Sequence, residues 1–434
     1  MDALIALYSK ETSSRFIWAA RVFFKHAMKC DLKIYSDVDA FNGAQGMKVN
    51  YSPDPIEGSF HISPHGLLWE SELVEQDFPC TKWESLTVFC TRRIGDIPFD
   101  PLAASFYLAS RYEEYLPYIA DKHGRFPAQE SFAYKNGFLN QPLINLWALK
   151  IGQLLFGTSF SLAEHYRFEP TMDIDNMFAF KGKGSLRIVG AYFRDIKNLD
   201  WSTWRFRTSV LFGFKRDPYD TFRKQRNWCK KYGIKMRYFM LLSKFGPNDR
   251  NVSPYSTDAA VKLRELADWA EVGIHPSYAS DSEEEAVREE RDRLETILRR
   301  PVAHSRQHYL KMKMPATFRT LVNLGIENDH SMGYAEEAGY RASIAVPYPF
   351  YDLEYESILP LTIHPFVYMD TTYAMYKELD AQEAEPLMMS WHEELKSVGG
   401  YYRVIWHNRT FGEHEPGSEG WVQLFKQLLD AAHH

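Results

Sequence analysis

Hydrophobic and polar residues alternate in two different ways along the chain. Up to about residue 160, short apolar runs such as residues 86–89 are mixed with two helical stretches, over residues 100–120 and 142–155. From about residue 167 onward, short strand-like runs alternate with amphipathic helices. This change predicts two domains, a smaller α/β domain over residues 1–164 and a larger α/β domain over residues 165–434.

Eight strand candidates lie in the second domain. They cover residues 167–173, 235–242, 271–275, 302–309, 325–329, 342–346, 359–363 and 402–407. Helices separate several of them, including one over residues 259–270 with apolar positions at a period of 3.6. Such alternation predicts parallel strands joined by right-handed crossovers, and about 265 residues is the size of one (β/α) barrel. A doubly wound open sheet is the competing topology.

The composition is that of a globular protein, and its charge balance argues against one class of partner, nucleic acid. Hydrophobic residues make up 45% and charged residues 25% of the 434 residues. The 51 lysines and arginines stand against 57 acidic residues, with no basic stripe longer than a few residues, so we expect no nucleic-acid partner. The sequence shows neither a secretory signal nor the roughly 18 continuous apolar residues of a membrane span, which predicts a cytoplasmic protein.

Titratable or cationic side chains stand at the carboxyl ends of six of the predicted strands. They are Asp173, Asp175, His275, Arg306, His308, Asp329, His364 and His407. In barrels and in open α/β sheets alike, the active site is built at this end of the strands. We therefore expect these side chains to meet in one cavity.

Two carboxylates on one strand indicate a cation. Asp173 and Asp175 are two positions apart, so both face the same way on an extended chain. Two anions at that separation repel each other unless a cation lies between them or one of them holds a proton. His275 and His308 would add imidazole ligands, and such a set suits zinc, iron, cobalt or nickel. The plainer interpretations are an Asx turn or helix cap at Asp175 and buried core histidines.

The strand predicted over residues 302–309 would place His304, Arg306 and His308 on one face. Arg306 could then orient a carboxylate, and His407, which ends an apolar strand, could act as a general acid near neutral pH. A surface arginine and a core histidine are the plainer interpretations of these two residues.

The second domain resembles the polysaccharide deacetylases of carbohydrate esterase family four, in a divergent form. The family's first motif, Thr-Phe-Asp-Asp, is similar to residues 171–175 (TMDID), with one extra residue between the carboxylates. Its second motif, His-Ser/Thr-x-x-His, begins at His275 but has Ala279 in place of the second histidine. Its third motif, Arg-x-Pro-Tyr, resembles residues 306–309 (RQHY), and its fifth, Leu-x-His, resembles residues 405–407 (IWH).

The resemblance implies a fold and a metal. The fold is a distorted (β/α) barrel, and residues 1–164 resemble an uncharacterised α/β domain that precedes such barrels in some bacterial proteins. The metal is a divalent ion, zinc before cobalt, nickel or iron, with Asp175 and His275 as ligands. Because Ala279 stands where the family has its second metal histidine, we hypothesise that His308 replaces that ligand.

The resemblance also implies which residues transfer protons. Asp173 is the catalytic base, Arg306 holds it, and His407 is the acid. The fourth motif has no clear counterpart in the sequence, and Asp329 and residues 339–341 are its candidates.

The activity expected from the resemblance is the metal-dependent removal of acetyl groups from an N- or O-acetylated sugar or oligosaccharide. Tyr278, Tyr309 and Trp406 could stack against a sugar ring. A metal-independent glycoside hydrolase that uses Asp173 and a distant carboxylate is one alternative. A catalytically inactive carbohydrate-binding protein on the same barrel is the other, and the missing motif histidine favours it. The sequence leaves the oligomeric state open.

Overall fold

The computed structural model describes residues 3–280, 283–412 and 417–433. Its strands are β1 (Leu4–Tyr8), β2 (Asp31–Tyr35), β3 (Met47–Tyr51), β4 (Phe60–Ile62), β5 (Thr81–Trp83), β6 (Leu86–Val88), β7 (Arg167–Ile174), β8 (Arg237–Met240), β9 (Glu271–Ile274), β10 (His304–Ser305), β11 (Asn328–Asp329), β12 (Tyr348–Asp352), β13 (Ser357–Ile363) and β14 (Tyr401–His407). Its α-helices are α1 (Ser14–Ala20), α2 (Val38–Asn42), α3 (Pro101–Ala109), α4 (Phe132–Lys135), α5 (Leu143–Phe156), α6 (Ser185–Lys197), α7 (Trp201–Leu211), α8 (Phe222–Tyr232), α9 (Thr257–Ala267), α10 (Glu284–Leu298), α11 (Ala316–Asn323), α12 (Ala381–Ser397) and α13 (Ser418–His433). Among the helices of these residues, none combines the length and the apolar character that crossing a membrane requires.

A four-stranded parallel sheet, in the order β2-β1-β3-β4, lies in the first part of the chain. Its central strand β1 is apolar and fully buried over residues 5–7, as a parallel strand covered on both faces must be. Helix α3 contacts both α1 and α5.

The helix predicted over residues 100–120 is shorter than expected. Asp100 begins it by accepting hydrogen bonds from the backbone N–H groups of Leu102 and Ala103. It ends at Ala109, because Arg111 has a φ of 58°, in the left-handed region, and the chain turns there.

The second sheet has eight strands in the order β12-β13-β11-β10-β9-β8-β7-β14 and is curled into a half-barrel. All neighbouring strands are parallel except β12 and β13. Parallel neighbours need crossover connections, and α8, α9, α10 and α11 lie in those connections between β7 and β11. The expected mixed α/β architecture is confirmed, as an open curled sheet consistent with a distorted barrel.

Seven of the eight strands predicted for this sheet are confirmed, although several are shorter than expected. The prediction over residues 302–309 was too long, because β10 has only two residues. Residues 342–346 are buried but form no strand, so that prediction was wrong. The neighbouring β12 was missed, since it is an antiparallel edge strand and departs from the strand–helix alternation.

Both parts of the chain contribute to one hydrophobic core. The indole of Trp18 lies against Tyr348, and its Nε1 donates to the carbonyl of Pro349 at 2.9 Å. The side chain of Asn145 accepts from the backbone N–H of Ala345 at 2.9 Å. The parts of the chain before and after the predicted boundary at residues 164 and 165 therefore pack against each other. The division into two domains stays a prediction.

A buried ion network crosses the same interface. Oε1 of Glu114 accepts from Nε of Arg111 at 2.7 Å and from Nε of Arg341 at 2.8 Å. Burial alone would raise the pKa of Glu114, but the charges of Arg341 and Arg111 outweigh it and hold that pKa below its ordinary value. The carboxylate thus stays charged and compensated as long as the two parts remain packed together.

Removing the Glu114 carboxylate should destabilise the fold strongly. The Glu114→Ala variant leaves Arg341, whose side chain is only 2% exposed, without its partner, and breaking a buried pair costs about 3–5 kcal/mol. Urea unfolding of the variant and the parent measures the difference. The matched control is Glu130→Ala, which breaks the exposed pair with Lys135 and should cost about 0–1 kcal/mol. Equal effects of the two substitutions would contradict the role assigned to the network.

Candidate active site

A cleft of about 530 Å³ opens at the carboxyl ends of β7, β9 and β14. Five of the predicted site residues line it: Asp173, Asp175, His275, His308 and His407. The sixth, Arg306, is fully buried and reaches the cleft through its contact with Asp173. The structure therefore brings all six residues together.

Asp175, His275 and His308 converge on one point of the cleft. Each offers one possible metal-ligand atom, and the three atoms lie within 4.8 Å of one another. The Nε2 atoms of His275 and His308 lie 3.5 and 3.6 Å from Oδ1 of Asp175. The imidazole of His308 thus points toward the other two side chains, as the hypothesis for this histidine requires.

In both imidazoles Nδ1, the ring nitrogen that points away from Asp175, donates a hydrogen bond to an acceptor. Nδ1 of His275 donates to the backbone carbonyl of Arg306 at 2.6 Å. Nδ1 of His308 donates to Oδ1 of Asp249 at 2.8 Å. Because Nδ1 carries the proton, Nε2 of a neutral ring presents its lone pair to the cleft, which is the arrangement that metal-binding histidines have.

Asp175 completes a donor set that fits a divalent cation. Its Oδ1 is buried and has no hydrogen-bond partner in the described part of the chain. Burial alone would raise the pKa of this carboxyl, but the surrounding imidazoles of His275, His407 and His308 outweigh it and hold that pKa well below the ordinary value. One carboxylate and two imidazoles are ligands of zinc and of other first-row divalent metals. The three residues could therefore bind such an ion.

Asp173 is held in place by the buried guanidinium of Arg306. Nη1 of Arg306 donates to Oδ1 of Asp173 at 2.8 Å and to Oγ1 of Thr171 at 2.8 Å. The other carboxylate oxygen, Oδ2, lies 3.7 Å from Nε2 of His275. One oxygen of Asp173 is thus fixed by the arginine, and the other faces the possible metal site.

His407 is paired with a buried carboxylate that the sequence analysis missed. Nδ1 of His407 lies 2.6 Å from Oδ1 of Asp370, and the backbone N–H of His407 donates to Oδ2 at 2.8 Å. Burial lowers the pKa of His407, but Asp370 and then Asp175 outweigh it and raise that pKa to about 8. Nε2 lies 4.0 Å from Oδ2 of Asp175, so the second ring nitrogen is turned into the cleft.

Asp370 and Asp249 were both missed, for different reasons. Asp370 directly follows the apolar run 366–369, which lies along β14 through backbone hydrogen bonds. A carboxylate at the end of an apolar run is the same pattern that predicted Asp173, so the sequence did contain a signal for Asp370. Asp249 lies in a polar loop nine residues beyond the end of β8. A prediction based on the residues that directly follow each strand cannot identify it.

Asp329 and His364 were expected in the cleft but do not line it, and His304 does not lie beside His308. Asp329 is buried and accepts from the N–H and the hydroxyl of Ser331, at 2.8 and 3.0 Å. His364 stacks on His330 with ring centroids 4.2 Å apart. Nδ1 of His304 lies 3.1 Å from Nε2 of His330, so His304 does not share a face with His308.

Two further sequence expectations were wrong. Arg341 is bound by Glu114, so residues 339–341 do not reach the cleft in the place of the missing fourth motif. Trp406 is fully buried against Phe425 and cannot stack on a sugar. Tyr309 does line the cleft.

The first part of the chain also reaches the cleft. Arg125 lies among the lining residues, as do Arg250 and Arg409. Nη1 of Arg125 donates to the carbonyl of Tyr309 at 2.7 Å, and Asp121 binds the same guanidinium at 2.7 Å. The lining of the cleft therefore includes three arginines and is built from both parts of the chain.

Comparison with family models gives a match over the first part of the chain. A family of unknown function (DUF7033) matches residues 5–158, which end before the strands of the half-barrel begin. No curated protein matches the chain.

Three solved structures show a distant likeness, each over 61% of this chain. A candidate polysaccharide deacetylase from Mycobacterium smegmatis is 12% identical, with 84% of its own chain covered and a TM-score of 0.38. A 4-alpha-glucanotransferase from Thermococcus litoralis is 12% identical, with 36% covered and a TM-score of 0.34. A mutant of BA3943, a CE4 family pseudoenzyme with restored enzymatic activity, is 10% identical, with 62% covered and a TM-score of 0.30. At these values none of the three activities passes to this chain.

Proposed function

We propose that the protein is a metal-dependent hydrolase that removes an acetyl group from an N- or O-acetylated sugar or oligosaccharide. One observation carries the proposal: a buried carboxylate, Asp173, and a carboxylate-paired imidazole, His407, flank the Asp175, His275 and His308 cluster in one cleft. Hydrolysis of an amide or ester needs a base, an acid and an electrophile within reach of one carbonyl, and these residues supply that set.

Asp175, His275 and His308 are the residues that would hold the metal, with zinc preferred. A divalent metal bound there would polarise the acyl carbonyl and lower the pKa of water toward about 7. The position of Ala279, where the family motif has its second histidine, supports this ligand set. The backbone N–H of Ala279 donates to Asp249, the same carboxylate that holds Nδ1 of His308. The loop that carries Ala279 in place of the motif's second histidine thus helps to orient His308, through Asp249.

Asp173 would accept a proton from the attacking water through Oδ2, the oxygen that faces the cleft. Arg306 donates to Oδ1 and fixes the orientation of the carboxylate, so Oδ2 is the oxygen left for the proton. A carboxylate so fixed can take a proton without losing its orientation.

His407 would donate a proton to the leaving nitrogen or oxygen. Asp370 holds Nδ1, so the proton available to substrate is the one on Nε2. With a pKa raised to about 8, the ring is protonated at neutral pH and can act as an acid there.

The substitutions Asp175→Ala, His275→Ala and His308→Ala should each abolish both metal retention and turnover. Each removes one of three protein ligands, so the remaining two hold the ion far more weakly. Metal content is measured on the purified variants, and acetate release is measured with N-acetylated and O-acetylated oligosaccharides. His392→Ala is the matched control, because His392 is a buried histidine that binds Tyr166 and does not line the cleft.

The same assays separate the alternatives. Variants that retain metal as well as the parent does would show that the ligand set is wrong. Release of reducing sugar that survives a chelator would indicate a glycoside hydrolase. Binding of carbohydrate that survives Asp173→Ala, with no acetate released by the parent, would indicate a protein that has lost catalysis.

Asp249→Ala should weaken metal binding by about 10–100-fold without abolishing it. Outer residues that hold a metal-bound histidine typically contribute that much affinity. Competition against a chromogenic chelator measures the change. Asp249→Asn retains an oxygen that can accept from His308, so it should recover most of the loss, and equal weakening by both variants would argue against the orienting role.

Asp370→Asn should move the alkaline limit of activity to lower pH. In the parent, turnover should fall as pH rises through about 8, because His407 must be protonated to donate. Without the carboxylate the pKa of His407 drops, and the fall should begin roughly one pH unit lower or more. The measurement is kcat against pH at constant ionic strength.

Thr410→Val is the control for that experiment. It removes the hydrogen bond that Thr410 donates to Asp370 but keeps the carboxylate, so the alkaline limit should stay nearly in place. An unchanged limit in Asp370→Asn would mean that His407 is not the acid.

A further inference from the structure

A helical hairpin between β7 and β8 exposes an apolar face. It consists of α6, α7 and the residues that follow to 216, which we call the α6–α7 hairpin. On α6 the exposed apolar side chains are Leu186, Val189, Phe193 and Ile196. Their spacing of three, four and three residues places them on one side of the helix. Leu186 is 88% exposed and Phe193 is 70% exposed, so this side is turned fully to the outside.

The end of the hairpin extends the exposed apolar surface. Trp201, at the first residue of α7, is 53% exposed. Phe212 and Phe214, just beyond α7, are 73% and 84% exposed and stack on each other. Large apolar side chains scattered singly on a surface are ordinary, but a row of them on one element indicates a binding surface.

The hairpin is held firmly from within, so its outer face is a defined surface. Asp195 and Arg207 form a buried ion pair between α6 and α7, with Nε of the arginine 2.9 Å from the carboxylate. The hydroxyls of Tyr192 and Thr208 lie 3.0 Å apart beside it. The polar side chains thus face inward and pair, while the apolar row faces outward.

The charge of this segment is opposite to that of the protein. Residues 185–216 contain seven lysines and arginines and two aspartates, a net charge of +5, while the whole chain carries -6. Arg194 and Lys197 are exposed beside the apolar row of α6, and Arg205 is exposed on α7. A long-chain cation beside an exposed apolar side chain suits the boundary between acyl chains and anionic headgroups.

We propose that the α6–α7 hairpin docks the protein on the surface of an anionic lipid bilayer. The apolar row would enter the headgroup–acyl boundary, and the flanking cations would pair with lipid phosphates. A second copy of the chain fits less well, because a symmetric contact would bring two segments of charge +5 together. Nucleic acid fits less well, because of the four apolar side chains in the row of α6 only Phe193 offers a ring on which a base stacks.

The test is flotation of the full-length chain with vesicles of defined composition. The protein should float with vesicles of phosphatidylcholine containing about a third phosphatidylglycerol, and bind at least tenfold more weakly to phosphatidylcholine alone. Raising the salt concentration should weaken the binding to the anionic vesicles, because surface charge is screened.

Two sets of substitutions test the two halves of the surface. The Leu186→Ser, Phe193→Ser double variant should bind at least tenfold more weakly, since it removes the two most exposed apolar side chains of α6. The Arg194→Glu, Lys197→Glu double variant should lose about fivefold or more for each cation removed. Ile119→Ser, at a side chain that is 77% exposed and lies outside the hairpin, is the control and should bind like the parent. Circular dichroism and thermal unfolding check that all variants are folded.

Several outcomes would overturn the proposal. The proposal is overturned if the parent protein stays at the bottom of the gradient with both vesicle types. It is also overturned if the parent protein binds equally to both types. Self-association that Leu186→Ser, Phe193→Ser abolishes, without vesicle binding, would assign the surface to a second copy, and binding only to nucleic acid would assign it there. Metal retention and acetate release should be unchanged in the hairpin variants, so failure of this proposal and failure of the proposed function are separate results.

Discussion

A guanidinium that water cannot reach needs a carboxylate partner, because an unpaired buried charge costs several kcal/mol. Arg306 is fully buried, and it donates to Asp173, to Thr171 and to the backbone carbonyl of His330. Its own carbonyl accepts from Nδ1 of His275. One residue thus fixes the orientation of a carboxylate and of an imidazole in the cleft, and the rest of the site is arranged around these two.

The same principle recurs around the other histidines of the cleft. Asp249 holds His308 from a loop, and Asp370 holds His407 from the segment beside β14. In each case the carboxylate is buried and the imidazole nitrogen that it leaves unpaired faces the cleft. Each carboxylate also accepts backbone N–H groups, which fix its own position. These two histidines of the cleft are therefore held by buried carboxylates. Asp175 lies at the centre, and within the described residues its Oδ1 accepts no hydrogen bond.

The sequence predicted the parts of this site that follow from strand geometry. Asp173, His275 and His407 were predicted because each comes at or directly after the end of an apolar run, and such ends meet at one edge of a parallel sheet. His308 was placed correctly but for a wrong reason. It lies beyond the two-residue β10 in a short turn, where Tyr309 and Leu310 have φ of 60° and 53°. A pattern that alternates every second residue cannot foresee such a turn.

Other features could not be predicted because their signals are spread out or distant. Asp249 depends on the path of a loop, and the pairing of Glu114 with Arg341 joins residues 227 positions apart. The cations of the α6–α7 hairpin are spread over residues 187–216 and do not form one continuous run. The absence of a basic run in the sequence was thus no guide to the local charge of the folded protein.

The pairing of β7 with β14 places Asp173 directly opposite His407, in the first and the last strands of the half-barrel to be made along the chain. Neighbouring strands lie about 4.8 Å apart, a distance set by backbone hydrogen bonds. The separation of the Cα atoms of these two residues is therefore a property of the sheet and does not depend on any loop. The loops around the cleft can change in length and composition over evolution, and with them the molecules that fit, while the spacing of this pair stays constant.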